Sequence, residues 1–586
     1  MWAGKAGEPL TEATGDAAAI QMQDDPSDSQ TVQGSWSDGP GPGQQKREKT
    51  PGNNGNSSTS TDGAESCQAA EDTVEYPTGI RFFLIIVGLC LSIFIMGLDN
   101  AIIATAIPKI TDDFSSLGEI GWYGSGKYPV DSPLCLLFGK MYGIFSIKLV
   151  YLFAIFLFEV GSLICGVAPN SIALILGRAV AGMGSAGIFS GSLIIMSHST
   201  PLRTRPIYTG IAGSMFGISS VAGPLLGGLF TDKVTWRWCF YINLPIGAIT
   251  VFAIVFFFHD TPRTKTLASL GGWREKFWYF DPLGTLFFMP MVICLLLALQ
   301  WAGKTYPWND GRIIVLLVMF GVLLGVFIAT QIWMGDLATV PPRLFRISRT
   351  VWSSCLFALC VGAAFFPLIY FIPFWFQAVK GTSAVESGIR NLPMLLGSMT
   401  FSLIAGFLVT VIGYSAPFMI VGAILTSIGA GLITTWTPGS PSSEWIGYQA
   451  IIGAGVGCSL QQALLVIQTV LSIQDIPIGA SLITFLLNLG GAVFIAVGEN
   501  LFSNKLVEDL AAKVPGLDPE IVVAAGATGF RKVVASDMIP GIVSAYNEAL
   551  VRTFQMCTGL SAAMILGCLG LEWISVKGKQ IETLAA

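Results

Sequence analysis

The chain has 586 residues, 12% of them charged and 52% hydrophobic, with 67 glycines and 38 phenylalanines. Soluble proteins carry about 25% charged residues, so this composition cannot cover a water-facing surface; it fits apolar helices packed closely in lipid. The net charge of -5 is small and the acidic residues gather near the N-terminus, which excludes a basic footprint for nucleic acid.

Residues 1–78 are polar throughout and include the stretch Gly52–Thr61, rich in Asn, Ser and Thr, so they bury almost nothing and read as a disordered cytoplasmic tail. They lack the apolar core and cleavage site of a secretory signal, which leaves targeting to the first apolar run. From Arg81 onward apolar runs recur that are long enough to cross about 30 Å of hydrocarbon. Fourteen are predicted, at 82–104, 119–138, 149–168, 172–197, 207–230, 239–258, 283–303, 313–334, 351–373, 388–411, 416–435, 446–470, 477–498 and 554–573. Cys90, Cys165, Cys239, Cys294, Cys355, Cys360, Cys458, Cys557 and Cys568 fall inside apolar runs with no CxxC pair and no nearby His, and read as small core residues, neither disulfides nor metal ligands.

An even number of spans puts both termini on one side, and basic residues say which. Loops 2–3, 4–5, 6–7 and 8–9 hold Lys140, Lys148, Arg203, Arg205, Arg263, Lys265, Arg274, Lys276, Arg343, Arg346 and Arg349. The opposite loops are poorer, with Lys109, Lys233, Arg237, Lys304, Arg312, Lys380 and Arg390. Both termini are therefore expected in the cytoplasm. The expected organisation is the tail, a six-helix bundle over 79–260, a linker and inserted pair of helices over 261–349, a second six-helix bundle over 350–576, and a short cytoplasmic tail over 577–586. The outer segment 505–546 is either a lid or a solvated loop. Repeated halves suit alternating access around a site near the midplane.

Gly182-x-Gly184-x-x-Gly187 matches the dinucleotide pattern, but it lies inside a continuous apolar run with no strand before it, so these are packing glycines. Asp99 sits within the first run, where a central carboxylate costs about 2.5–3.5 kcal/mol and faces a cavity or a partner. It reads as a coupling or gating acid, or as a boundary residue paired with Lys109 or Lys127. Arg178, about a turn and a half into the fourth run, cannot deprotonate; it biases or binds an anionic group, or else snorkels to water. Glu159 in the third run is the other embedded acid, either a partner for Arg178 or a second proton-carrier candidate. In the fifth run Gly223, Pro224, Gly227 and Gly228 predict a bent helix that lets neighbouring backbones approach. Lys127, Pro129, Asp131 and Pro133 make the second run a poor lipid-spanning stretch. Either they line a cavity or the sequence is locally in error.

Together these residues resemble the major facilitator superfamily. Ser219-x-x-x-Gly223-Pro224-x-x-Gly227-Gly228 looks like its antiporter motif, and Leu98-Asp-Asn-x-Ile-x-Ala-Thr-Ala-Ile-Pro108 is similar to the first-helix motif of the fourteen-helix drug:proton antiporter branch. Leu176-Gly-Arg178 resembles the fourth-helix motif whose arginine is implicated in proton transfer, and Trp236-Arg-Trp-x-Phe-Tyr-Ile-Asn-Leu-Pro-Ile-Gly247 completes the match. Phrases around Phe158 and Gly187 look most like fungal exporters of toxins and secondary metabolites. The gating loop Gly139–Lys148 departs from the pattern: Gly143 and Ile147 stand where the superfamily has Asp and Arg, although Lys140 and Lys148 remain.

The resemblance implies an all-α major facilitator fold of two six-helix bundles and two inserted helices. It implies a proton-coupled exporter of a small amphipathic compound, such as a fungal toxin or drug, in the plasma membrane. The partners are substrate, protons and lipid, and the chain acts as a monomer with no cofactor. Uptake or vacuolar transport of a nutrient, amino acid or siderophore is the alternative. No HExxH, GxSxG or GxxxxGK[ST] occurs and only His198 and His259 are present, which argues against an enzyme, a metal site and a nucleotide pump.

Overall fold

The computed structural model describes residues 77–114, 128–259, 278–303, 306–472 and 474–577. The readings on the N-terminal tail up to residue 76, on Lys127, on linker residues 260–277 and on the C-terminal tail from 578 lie outside these, as do the side chains of Pro129, Asp131 and Pro133.

Fourteen long helices fill the described residues between 77 and 577. The first six are α1 (Gly79–Phe114), α2 (Tyr128–Ile144), α3 (Ile147–Val167), α4 (Ser171–Ser199), α5 (Arg205–Lys233) and α6 (Asn243–Phe257), the last preceded by a single turn, Trp238–Tyr241. The inserted pair is α7 (Pro282–Trp301) and α8 (Gly311–Met334). The remaining six are α9 (Arg349–Ala378), α10 (Leu392–Ile412), α11 (Ala416–Ile433), α12 (Ser442–Val470), α13 (Ile476–Lys513) and α14 (Ile539–Leu569). Thirteen are long and apolar enough to cross a membrane, while α2 offers the shorter apolar stretch Leu134–Ile144. We call the face at which α1 begins the near face, and the opposite one the far face.

Capping residues set the helix starts. Ser146 accepts from the Leu149 N–H, Asn170 from Ala173, Asp310 from Arg312 and Ser348 from Thr350, each meeting a donor the helix leaves unpaired. Gly413, at φ +96°, ends α10 in a left-handed turn that a side chain resists.

The two halves use the same packing scheme. α1 lies on α4, α5 and α6, and α3 on α4; correspondingly α9 lies on α13 and α14, and α11 on α12. The halves meet along two matching seams, α2 with α13 and α5 with α10. The glycines of α4 serve this packing, as their position in an apolar run predicts: a Cβ at Gly184 would come 2.3 Å from the Phe158 nitrogen on α3, and one at Gly187 2.5 Å from the Ala154 Cβ.

The segment read as an outer loop, 505–546, is largely helical. α13 runs on to Lys513, a surface helix spans Pro519–Val533, and α14 begins at Ile539. Val522 and Phe530 are fully buried, Phe530 stacks on Tyr546 at 5.3 Å, and Arg531 donates to the Ala378 carbonyl at 3.0 Å, closing the C-terminus of α9. Glu508, Asp518, Glu520 and Asp537 are exposed, whereas Asp509 is buried and pairs with Lys505 at 3.0 Å.

Candidate functional site

α1, α4, α5 and α9 meet α2, α10, α12 and α13 around a cavity of about 510 Å³. Its wall is aromatic on both halves, with Phe189 and Phe216 from the first and Phe365, Phe366, Tyr370 and Phe374 from the second. Polar groups are sparse and neutral: Asn100, Gln377, Asn391, Gln461 and Asn488 carry the amides. Among the described lining residues none is Asp, Glu, Lys, Arg or His. Such a wall binds by apolar contact and stacking, with a few amides to fix orientation.

Two local features shape the cavity. Pro224 lines it from within α5; having no N–H, it gives nothing to the Ser220 carbonyl one turn earlier, and Ser220 also lines the cavity. Gly223 lets α5 lie against α1, since a Cβ there would come 2.4 Å from the Ala101 Cβ and 2.9 Å from the Ile102 nitrogen. Gly227 is buried, whereas Gly228 has open space around it. The second feature is an interruption of α12 at Leu460–Gln461, which delivers both side chains to the cavity. Further along α12, outside the cavity wall, the amide oxygen of Gln462 and both amide atoms of Gln468 are buried without a hydrogen-bond partner among the described residues.

Asp99 and Arg178 form an ion pair, Nη1 to Oδ2 at 2.8 Å, with both side chains about 1% exposed. Asp99 is wholly buried and the guanidinium is about 1% exposed, so Arg178 does not snorkel to water; Lys109 is exposed, and the reading of a pair with Lys127 lies outside the described residues. The pair lies one residue behind Asn100, so it adjoins the cavity without lining it. Glu159 stands apart on α3. Neither of its oxygens has a hydrogen-bond partner among the described residues, and its carboxylate lies over Gly247 of α6, where a Cβ would come 1.8 Å from Oε1. It remains within electrostatic reach of Asp99. The Trp236-Arg-Trp stretch ties helix ends on the far face, with Trp236 donating to Asp113 of α1 at 2.8 Å and Arg237 to the Ala168 carbonyl after α3 at 3.1 Å.

The residues read as a gating loop divide into three roles. Gly139 packs α2 onto α13 at the near face, its Cβ position lying 2.4 Å from the Ser481 Cβ. Lys148 stays within the first half and donates to the carbonyls of Val255 (2.7 Å) and Phe258 (2.9 Å) at the end of α6, where helix carbonyls favour a cation. Lys140 donates to the Leu337 carbonyl beyond α8. Open space surrounds Gly143, where the aspartate of the family pattern is missing.

Two like halves of spanning helices around a shared cavity, with a buried ion pair beside it, define a membrane transporter and not an enzyme. The chain belongs to the Major Facilitator Superfamily, which it matches over residues 89–495. It is 51% identical over 534 residues to "MFS-type efflux pump MFS1" of Arthroderma benhamiae, covering 90% of this chain and 99% of that protein. It is 49% identical over 511 residues to "MFS-type transporter astH" of Aspergillus oryzae (87% and 90% covered), and 47% identical over 515 residues to "Aspyridones efflux protein" of Neocamarosporium betae (88% and 91% covered). Among solved structures, the proton:xylose symporter XylE shares the fold at a TM-score of 0.52 and 12% identity, covering 81% of this chain and 94% of that one. The chain is a major facilitator efflux transporter of the group that includes fungal secondary-metabolite exporters.

Proposed function

We propose that this transporter exports an uncharged, amphipathic, aromatic-rich organic compound across the plasma membrane in exchange for protons, working as a single chain with both termini in the cytoplasm. The observation that carries the reading is the cavity: about 510 Å³, aromatic on both halves, and free of charged side chains among its described lining. A charged cargo would enter it without a counter-ion, at a cost of about 2.5–3.5 kcal/mol on insertion scales. The names of the relatives support the outward direction. The placement of Lys140, Lys148, Arg203, Arg205, Arg343, Arg346 and Arg349 at the near face supports a cytoplasmic near face.

Protons enter this scheme through the acids beside the cavity. Glu159 can take up or release a proton without breaking a hydrogen bond, and Asp99 can do so only by loosening its hold on Arg178. Protonation that favours one of two bundle arrangements over the other converts a proton gradient into transport.

The test uses purified protein in liposomes with an internal pH dye and Nile red as the neutral probe. Nile red movement should carry protons the opposite way. Glu159→Gln should uncouple the two, leaving downhill probe flux and removing gradient-driven accumulation. A permanently cationic dye of similar size should be transported at least about tenfold more slowly. Proton-coupled flux unchanged in both Glu159→Gln and Asp99→Asn removes the mechanism, and preference for the cationic dye removes the substrate reading.

A further inference from the structure

α7 and α8 lie outside the two six-helix halves, and the export scheme gives them no task. α8 rests on α7, and only Ile313, Phe327 and Gln331 along its length are buried. α7 is placed differently: it packs on α2 of the first half and on α13 of the second, and so lies along the seam where the halves meet.

Its two ends are tied to different halves. At the near face Asp281, wholly buried and the one described non-glycine residue with a positive φ (+47°), caps α7 by accepting from the Gly284 N–H at 2.7 Å. Its second oxygen accepts from Gln331 at the end of α8 (2.8 Å), from the Thr339 N–H (2.8 Å) and from the Thr339 hydroxyl (2.9 Å). Gln331 in turn accepts from the Val340 N–H at 2.8 Å. The network fixes the chain after α8 so that the Leu337 carbonyl receives the buried ammonium of Lys140 on α2, which also lies in the field of Asp281. At the far face the tie is to the other half: Asn500 of α13 donates to the Leu299 carbonyl in the last turn of α7 at 2.9 Å. Gly303, at φ +75°, makes room, since a Cβ there would come 2.4 Å from the Asn500 oxygen. Between the ties the contact is apolar, with the Phe288 and Phe485 rings 5.0 Å apart.

We infer that α7 is a strap across the α2–α13 seam, held to the first half at the near face by Lys140 and Asp281 and to the second half at the far face by Asn500. This rests on the alternating-access reading above. When the halves part at the near face, a helix tied to both at that face would block the motion or tear loose. A helix tied at opposite ends can tilt, its apolar middle sliding along α13 while it keeps the seam covered from lipid.

Cysteine pairs linked by a short bifunctional thiol reagent test this, with the native protein treated alike as control and Nile red transport as the readout. Links at Lys140→Cys with Leu337→Cys, and at Leu299→Cys with Asn500→Cys, should leave about half or more of the transport, because each joins elements that move together. A link at Gly139→Cys with Ser481→Cys joins the halves directly and should abolish transport. Loss of transport from either strap link overturns the strap, whereas transport surviving the Gly139–Ser481 link counts against alternating access itself. Where a pair fails to reach the membrane, Lys140→Met and Asn500→Leu serve instead. Each should raise several-fold the labelling of a cysteine placed at the buried Leu296 by a lipid-soluble maleimide, and labelling unchanged in both overturns the proposal.

Discussion

Asp99→Asn should be the more damaging way to break the central ion pair, and Arg178→Leu the milder. The two side chains touch at 2.8 Å with almost no exposure, so removing either partner strands the other, at a cost of about 3–5 kcal/mol for a buried pair. The two stranded groups differ chemically. A carboxylate left alone can be neutralised by a proton, whereas a guanidinium keeps its charge at any accessible pH. Asp99→Asn therefore leaves a permanent charge in the first half, on an Arg178 whose Nε already lacks a hydrogen-bond partner among the described residues. The expected result is a lower unfolding temperature and lower membrane yield for Asp99→Asn than for Arg178→Leu. The double variant Asp99→Asn, Arg178→Leu should recover much of the yield while gradient-driven transport stays absent. Thermal unfolding in detergent, read beside transport in liposomes, separates the outcomes; equal losses in the two single variants would mean that the pair is not the stabilising unit the geometry describes.

How far this arrangement can be read from the residues alone depends on the distance over which each interaction acts. Spans are local properties, and most predicted edges fall within a few residues of the helices; α3, α4, α7 and α8 are clear cases. The edges move where a helix leaves the hydrocarbon and continues in water. α13 carries Glu508, Asp509 and Lys513 in its last turns, and α14 carries Asn547, Glu548 and Arg552 in its first half, so a hydropathy reading cuts both short although the helical hydrogen bonds go on. Asp99, Glu159 and Arg178 stand out because a charge in an apolar run is costly and therefore conspicuous. Which charge meets which is not local: Arg178 lies 79 residues from Asp99, and only the packing of α4 on α1 joins them. The same limit hides Asp281. In the sequence it ends a charged linker and looks solvated, and its burial becomes evident only when Gln331 and Thr339 are seen to surround it. The buried glutamines of α12, of which Gln461 lines the cavity, give a weaker signal still, since an uncharged amide barely disturbs a hydropathy profile; three glutamines at 461, 462 and 468 in an otherwise apolar stretch are the clue available.

Gly223→Ala should stop transport while Gly228→Ala leaves it near normal, although the two glycines belong to one motif and differ by little over a helical turn. At Gly223 the added methyl would sit 2.4 Å from the Ala101 Cβ and 2.9 Å from both the Ala101 carbonyl carbon and the Ile102 nitrogen, so much of what it meets is the backbone of α1, which cannot swing aside like a flexible side chain. α1 has little room to retreat, because Asp99 anchors it to Arg178 two residues away, and Gly97 holds it equally close to Ser219 of α5. The strain must pass into the α1–α5 contact itself, beside Ala101, Pro224 and the rest of the cavity wall. Overpacking of this kind costs typically about 1–3 kcal/mol, enough to shift a balance between two bundle arrangements by about 5- to 150-fold without unfolding either. Gly228 has nothing within 4 Å, so its methyl enters open space. Membrane yield should hold for both variants and Nile red transport should separate them. Equal activity would show that α1 and α5 do not need this close approach in any state of the cycle, and that the motif acts through Pro224 alone.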